Sequence, residues 1–333
     1  MEPSFTRIPS SPPLIAPVAS TDKRPLWSVM IPAYNCFTYL EDALLSVLAQ
    51  DMGEDLMQIE VVDDASTDGD VAALVASLGK GRVQYYRQPV NVGSLRNFET
   101  CINRSRGHYV HLLHGDDRVL TGYYARMTRL FELHPRAGAA FCSYASIDET
   151  GSRTYLPGAI DSAGILPNWL LRIAERQHIQ YASITVRREV YEHLGSFYGT
   201  NYGEDWEMWV RIARYYPVAY TPEILAEYRG HTSSISSTKA RQGRIINDLL
   251  LVMESIQQHL PDKNKKQVAT LSRKFYANVG IGAAYKVLRE TQDWPLAQNH
   301  VKLALTMSKH PSVYYHLLKF HIKLLLHKYT SYT

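Results

Sequence analysis

Two apolar runs in this chain each end in a cluster of acids, and that arrangement constrains the fold more than any bulk property. The stretch Val110-His-Leu-Leu-His-Gly-Asp-Asp-Arg118 closes on Asp116 and Asp117. Upstream, Ile59-Glu-Val-Val-Asp-Asp-Ala-Ser-Thr-Asp68 closes on Asp63 and Asp64. A core strand has no packing reason to finish in adjacent carboxylates. Like charges crowded in this way are costly unless a cation or hydrogen-bond donors neutralise them. The simplest neutraliser is a divalent metal carrying a phosphorylated ligand, because hard oxygen ligands suit Mg2+ or Mn2+.

Around these runs, strand and helix patterns alternate. Leu26–Ile31 reads as a strand stopped by Pro32, and Tyr39–Gln50 carries Leu40, Leu44, Val47 and Leu48 at helical spacing. Ile59–Val62 is a second strand, Asp68–Leu78 a helix with Asp68 as its cap, and Val83–Tyr86 a third strand. A helix near Gly93–Ser105 and a strand over His108–Leu113 follow. Such alternation implies right-handed βαβ units and a mostly parallel, Rossmann-like α/β sheet, whose ligands sit beyond the carboxyl ends of the strands. Pro32-Ala-Tyr-Asn35, Asp63-Asp64 and Asp116-Asp117 all fall there. From Ala137 to about His231 short strands mix with helices, and Gln180–Val186 reads as one of the strands. Beyond about Thr238 the pattern turns helical, over Ile245–Leu260, Val268–Glu290, Trp294–Ser308 and Val313–Tyr329. Three parts are expected: a disordered lead-in over 1–25, an α/β domain over 26–236 and a helical region over 240–333.

The 333 residues are 45% hydrophobic and 20% charged, which suits one large globular domain or two smaller ones. A formal net charge of +4, without an arginine-rich run or basic-aromatic repeat, gives no nucleic-acid surface. The three cysteines, Cys36, Cys101 and Cys142, form no CxxC pair and suggest neither zinc nor a disulfide framework. A reducing cytosol is the compartment expected. Residues 1–25 hold prolines and serines but no apolar core of a signal peptide, and no run approaches the roughly 20 residues that span a bilayer.

Five motifs occur in order: Pro32-x-Tyr-Asn35; Val62-Asp-Asp-Ala-Ser-Thr-Asp68; Asn91-x-Gly93 with Arg96-Asn97; Gly115-Asp-Asp117; and Gly203-Glu-Asp-Trp206. Together they resemble a family 2 glycosyltransferase, an inverting enzyme of the GT-A fold, over Leu26 to about Ser236. The resemblance implies a nucleotide-sugar donor, UDP- or dTDP-linked, a glycan or lipid-linked acceptor, and a Mn2+ or Mg2+ cofactor. It places Pro32, Tyr34, Asp64 and Arg96 around the nucleotide, with Tyr34 stacking on the base and Asp64 accepting its imide hydrogen. Arg96 either meets the diphosphate or base, or pairs with Asp64 and orients it.

His114-Gly-Asp-Asp117 stands where that family has Asp-x-Asp, with His114 replacing the first aspartate. Asp116 aligns with the metal-binding aspartate. His114 either ligates metal as neutral imidazole or only holds the loop, and Asp117 is either a ligand or the cap of a helix starting at Thr121. By resemblance Asp205 is the base that takes the acceptor proton, and Glu204 orients the acceptor or the loop. Both acids also suit the start of the helix Trp206-Glu-Met-Trp-Val-Arg-Ile. Trp206 and His231 are further candidate contacts to acceptor or phosphate, His231 lying in Tyr228-Arg-Gly-His231. Ser183 and Thr185 either line the donor-sugar side or sit in a plain core strand.

The last helix bears Val313, Leu317, Leu318, Phe320, Leu324 and Leu325 on a broad apolar surface and His316, Lys319, Lys323 and His327 on the other, and no acid follows Asp293. Such a helix packs on the protein or lies in a membrane interface, giving a cytoplasmic protein that is soluble or peripheral. Two other classes compete with this one. A non-catalytic nucleotide-sugar binder is supported by the His114 departure. A nucleotidyltransferase or a dehydrogenase is disfavoured, because no glycine occurs in Pro32–Cys36 and no GxGxxG follows the first strand.

Overall fold

A computed structural model describes residues 6–19 and 23–330, with side chains up to residue 325. In chain order the first half holds β1 (Trp27–Ala33), α1 (Phe37–Leu48), β2 (Met57–Asp63), α2 (Val71–Gly79), β3 (Gln84–Arg87), α3 (Ser94–Arg104) and β4 (Tyr109–Leu112). Next come β5 (Arg118–Val119), α4 (Tyr123–Leu133), β6 (Ala139–Ile147), β7 (Arg153–Tyr155), β8 (Gly164–Ile165) and α5 (Trp169–Glu175). They are followed by β9 (Ile184–Arg187), α6 (Arg188–Leu194), α7 (Glu204–Tyr215) and β10 (Val218–Arg229). Helices α8 (Ile235–Arg241), α9 (Ile245–Ile256), α10 (Asp262–Thr291), α11 (Trp294–Met307) and α12 (Pro311–Thr330) complete the chain.

The sheet runs β3-β2-β1-β4-β9-β6-β10-β5, with β7 beside β6 and β8 beside β10. Its first four strands are parallel, whereas β9 joins β4 and β6 antiparallel and β10 returns parallel to β6. Every residue of β1 and β2 is buried, as helix-covered parallel strands require. Because β1 sits between β2 and β4, the strand order reverses there and opens a crevice at the strand ends. Loops 34–36 and 113–117 border that crevice.

The chain divides into two compact units, residues 1–169 with 178–231 and residues 170–177 with 232–333. The first holds the sheet. The second is helical, with α10 packed along α11 and α12.

Several expectations change. Pro32 does not stop the first strand but lies within β1, opposite Val62. Its carbonyl accepts from Gly115 N at 3.1 Å, on the side where β4 has already ended, so the missing N–H forfeits no ladder bond. Asp68 does not cap the second helix. Asp70 does, accepting from Ala73 N at 2.9 Å, while Asp68 accepts from Phe37 N at 2.8 Å and so caps α1 across the crevice. The Gln180–Val186 segment begins as a tight turn over Tyr181–Ser183 before β9. Ser183 and Thr185 are fully buried, and Thr185 meets the Tyr123 hydroxyl at 3.1 Å, so both belong to the core.

The lead-in is not disordered over residues 6–19. Ile15 is buried there, and the carbonyls of Pro9 and Pro13 accept from Gly199 N and Ser196 N. A proline-rich segment can order itself in this way by borrowing donors and an apolar seat from the body of the protein. The rest of the expected lead-in, at 1–5 and 20–22, lies outside the described residues. On α12 the apolar surface is split. Val313 and Phe320 are buried, whereas Tyr314, Tyr315, Leu318, Ile322 and Leu325 are exposed. His327 lies beyond the described side chains.

Glu227 of β10 ties the sheet edge together, taking Arg118 Nε at 2.5 Å and Arg153 Nε at 2.8 Å. Burial pushes its carboxyl up, but the two guanidiniums outweigh it and hold it below the ordinary value of 4.5. A depressed folded-state pKa means that the stabilisation is present above the unfolded value and is lost as pH falls through the folded one. Glu227→Gln is therefore expected to destabilise the protein by about 1–3 kcal/mol at pH 7. In denaturant titrations that gap should narrow only as pH falls below 4.5.

Candidate active site

Each acid at the strand ends is held by a segment distant in sequence. Asp63 is fully buried. Its Oδ2 takes the Tyr85 hydroxyl at 2.8 Å and pairs with Arg87, while Oδ1 takes Ser66 N at 2.9 Å. It is therefore structural. Asp64, 2% exposed, accepts from Asn91 Nδ2 (2.7 Å), Val92 N (2.7 Å) and Gly93 N (2.9 Å). Burial raises its pKa, and these backbone donors and the Arg7 charge oppose the rise. Gly93 makes the loop possible, since it enters α3 at φ +90°, where a side chain is strained. The loop after β1 is laced to the same region. Asn35, at φ 48°, donates its N–H to Ser66 Oγ (3.0 Å) and accepts from Thr67 N through its side chain (2.9 Å). Tyr34 projects from this loop half exposed, whereas Pro32 is buried.

Arg96 is not the partner of Asp64. It pairs with Glu99 at 2.7 Å and donates to the Thr6 carbonyl at 3.0 Å. The orienting role suggested for it belongs to the 91–93 loop, which reaches Asp64 with less chain to order. Asn91 takes this place, and its position in Asn91-x-Gly93 is the sequence signal that marks it.

The second acid pair lies against β10. Asp116 Oδ2 is 2.9 Å from His231 Nε2. Asp117, 1% exposed, accepts from Arg229 N at 2.8 Å, and the buried Arg229 guanidinium donates to the Asp116 carbonyl (2.9 Å) and to Asp42 (2.7 Å). Helix α4 begins at Tyr123, and Asp117 is a β10 contact rather than its cap. Burial and the neighbouring Asp116 push Asp117 well up. On Asp116 burial acts upward too, but the His231 hydrogen bond and the histidine charges prevail and lower it. Gly115 permits the tight passage, because a Cβ there would stand 2.7 Å from Cys36 Sγ.

His114 stacks on Phe98 at 5.1 Å and leans on Tyr181 at 4.3 Å between ring centroids. Burial lowers its pKa, keeping the imidazole neutral, and its buried Nε2 has no hydrogen-bond partner among the described residues. One donor atom from each of His114, Asp116 and Asp117 lies within 4.8 Å of the others. An orphaned neutral imidazole nitrogen beside two carboxylates suits a divalent cation.

Tyr181 links this cluster to the next motif, because its hydroxyl donates to Glu204 Oε1 at 3.3 Å. Glu204 and Asp205 open α7 after Gly203, at φ 85°, and Asp205 Oδ1 accepts from Trp206 N at 2.7 Å. Asp205 is partly exposed and Glu204 buried. Trp206 is 1% exposed, so its ring packs in the core and offers no face to an acceptor. Phe98, Tyr181 and Arg229 also form the site without standing out in the sequence; Arg229 lies in the Tyr228–His231 motif and Tyr181 in the Gln180–Val186 segment, while Phe98 carries no motif.

Paired acids at the switch point of such a sheet, with a third acid on a helix beside them, are an arrangement of the GT-A-like α/β fold. The model of the family described as "Glycosyl transferase family 2" matches residues 28–207, more than half of the chain, and the chain belongs to that family. It is a glycosyltransferase. An uncharacterized protein of Mycobacterium tuberculosis is 29% identical over 240 residues, covering 68% of this chain and 74% of that one. TuaG of Bacillus subtilis, a candidate teichuronic acid biosynthesis glycosyltransferase, is 26% identical over 233 residues, covering 66% and 84%. Among solved structures, S. aureus TarS in complex with UDP-GlcNAc superposes with a TM-score of 0.64 at 14% identity, covering 84% of this chain and 81% of that one. At that identity the likeness is one of fold.

Asp64→Ala should leave the three donors of the 91–93 loop without an acceptor. The expected cost is about 1–3 kcal/mol. In hydrogen exchange the Val92 and Gly93 amides should lose protection while those of β1 keep theirs.

Proposed function

We propose that this chain is a metal-dependent inverting transferase that moves a sugar from a UDP- or dTDP-linked donor to a hydroxyl of a saccharide or lipid-linked acceptor, in bacterial surface polysaccharide or glycolipid synthesis. The observation that carries this reading is the continuous set of contacts from the His114–Asp116–Asp117 cluster through Tyr181 to Glu204 and Asp205. The likeness to TuaG supports the polysaccharide setting.

In this reading residues 26–236 carry the chemistry, and Tyr34 and Asp64 take the base. Asp116, Asp117 and His114 would hold Mn2+ or Mg2+, which would supply charge neutralisation for the departing diphosphate. His231 fixes the Asp116 carboxylate in place. Across from them Asp205 sits in the first turn of α7, where a helix N-terminus favours negative charge. The acceptor oxygen attacks the anomeric carbon, its proton passes to Asp205, and the bond to the diphosphate oxygen breaks, inverting the centre. Glu204, hydrogen-bonded to Tyr181, orients the loop. The protein works in the cytoplasm. The helical region 240–333 provides peripheral contact with the membrane through the exposed apolar residues of α12, flanked by Lys319 and Lys323; among the described residues no helix is long and apolar enough to cross a membrane.

Nucleotide release from a panel of sugar donors, with and without Mn2+, tests the reading directly. Asp205→Asn should lower transfer about a hundredfold or more while nucleotide affinity stays unchanged. Asp116→Asn should weaken Mn2+ binding by about tenfold or more in titration calorimetry. Tight nucleotide binding with no product from any donor and acceptor pair would favour the non-catalytic binder instead.

A further inference from the structure

Residues 6–19 form an extended strap that touches two walls of the site. At one end Arg7 donates from Nη2 to Asn91 Oδ1, and the same Asn91 side chain donates to Asp64. Arg7 Nε also lies 3.1 Å from the point where a Cβ on Gly93 would stand. The charge of Arg7 is felt at Asp64, where it favours the carboxylate. Next to it, the Thr6 carbonyl receives Arg96 Nε at 3.0 Å. Further along, Pro9 O takes Gly199 N at 2.9 Å and Pro13 O takes Ser196 N at 2.8 Å. That second anchorage is the loop leading into Gly203-Glu204-Asp205. Besides the Arg7–Asn91 contact, the carbonyls of Thr6, Pro9 and Pro13 each receive an N–H group from the body of the protein, so the path of the strap does not rest on Arg7 alone. The strap precedes the residues matched by the family, which begin at 28, so it is a feature of this chain beyond the family match.

From this placement we infer that Arg7 is a donor-binding residue that meets the base edge beside Asp64. The inference rests on the donor-site reading above. A base of the uracil type presents an N–H flanked by carbonyl oxygens. Asp64 already accepts three hydrogen bonds, which leaves about one acceptor site of the roughly four on a carboxylate, enough for one N–H. A flanking carbonyl needs a donor, and a guanidinium has five N–H groups, of which one is spent on Asn91. Acceptor and donor standing side by side match a base with an N–H and carbonyl edge. They mismatch cytosine, which offers an amino group and a bare ring nitrogen.

Arg7→Ala and Arg7→Lys, in the full chain, test this by calorimetry with UDP and by competition with uridine. Arg7→Ala should weaken UDP binding by about tenfold, the loss of one charge-assisted hydrogen bond. It should weaken uridine by the same factor, with the unliganded melting temperature unchanged. Arg7→Lys, which keeps the charge but not the fork, should recover only part of the loss. Unchanged affinity in both variants would overturn the inference. So would a loss confined to UDP, which would place Arg7 at the phosphates. Tighter binding in Arg7→Ala would overturn it too, making the strap an obstacle that the donor displaces. A wild-type protein that binds no nucleoside diphosphate would sink the donor-site reading itself, a result read before any variant is made.

Discussion

Buried carboxylates must be given donors, and in this protein that requirement organises the whole α/β unit. Four aspartates stand at the ends of β2 and β4 or just beyond them, and each is answered from a different place. Asp63 is held by β3 through Tyr85 and Arg87, and Asp64 by the loop that opens α3. Asp116 is held by His231, and Asp117 by the backbone of Arg229. An unpaired acid at such depth would be neutralised or would cost several kcal/mol. The loops around the crevice therefore cannot be rearranged one at a time, because each closes the valence of an acid that another element presents.

The second constraint is aromatic. Phe98 of α3, His114 after β4, Tyr181 before β9, Phe197 and Trp209 of α7 form one cluster with ring centroids between 4.3 and 6.0 Å apart. Such pairs add about 0.5–1.5 kcal/mol each beyond the area they bury. Their larger consequence is positional. The helix that begins with Glu204 and Asp205 is locked through Trp209 and Tyr181 to the loop that bears His114, so these two acids and the His114–Asp116–Asp117 cluster are set on a common rigid support. Histidine at position 114 fits this setting, since a neutral ring can be stacked between two aromatic side chains where a carboxylate could not.

Much of this architecture was legible in the chain. The strands β1, β2 and β4 announce themselves as apolar runs, and the acids that close the β2 and β4 runs mark the carboxyl ends of those strands. The helices beyond Thr238 follow from their spacing. Other features were not legible. Asp68 sits where a helix cap belongs, yet it caps α1 instead of α2, because Asp70 stands closer to the following turn and Phe37 N was left without an acceptor. Residues 6–19 have the composition of a disordered lead-in, and only the donors of Ser196 and Gly199 give them a fixed path.

By itself the sequence determined which residue types end each strand, and so the sign and density of charge at the mouth of the sheet and the family to which the chain belongs. The tertiary structure alone decided which acid is structural and which faces a loop, that the Arg229 backbone donates to Asp117, and that Tyr181 bridges two motifs separated by ninety residues. The reason is physical. Periodicity and local charge are written in neighbouring residues, whereas a hydrogen bond to a buried carboxylate depends on which distant donor the folded chain brings within about 3 Å.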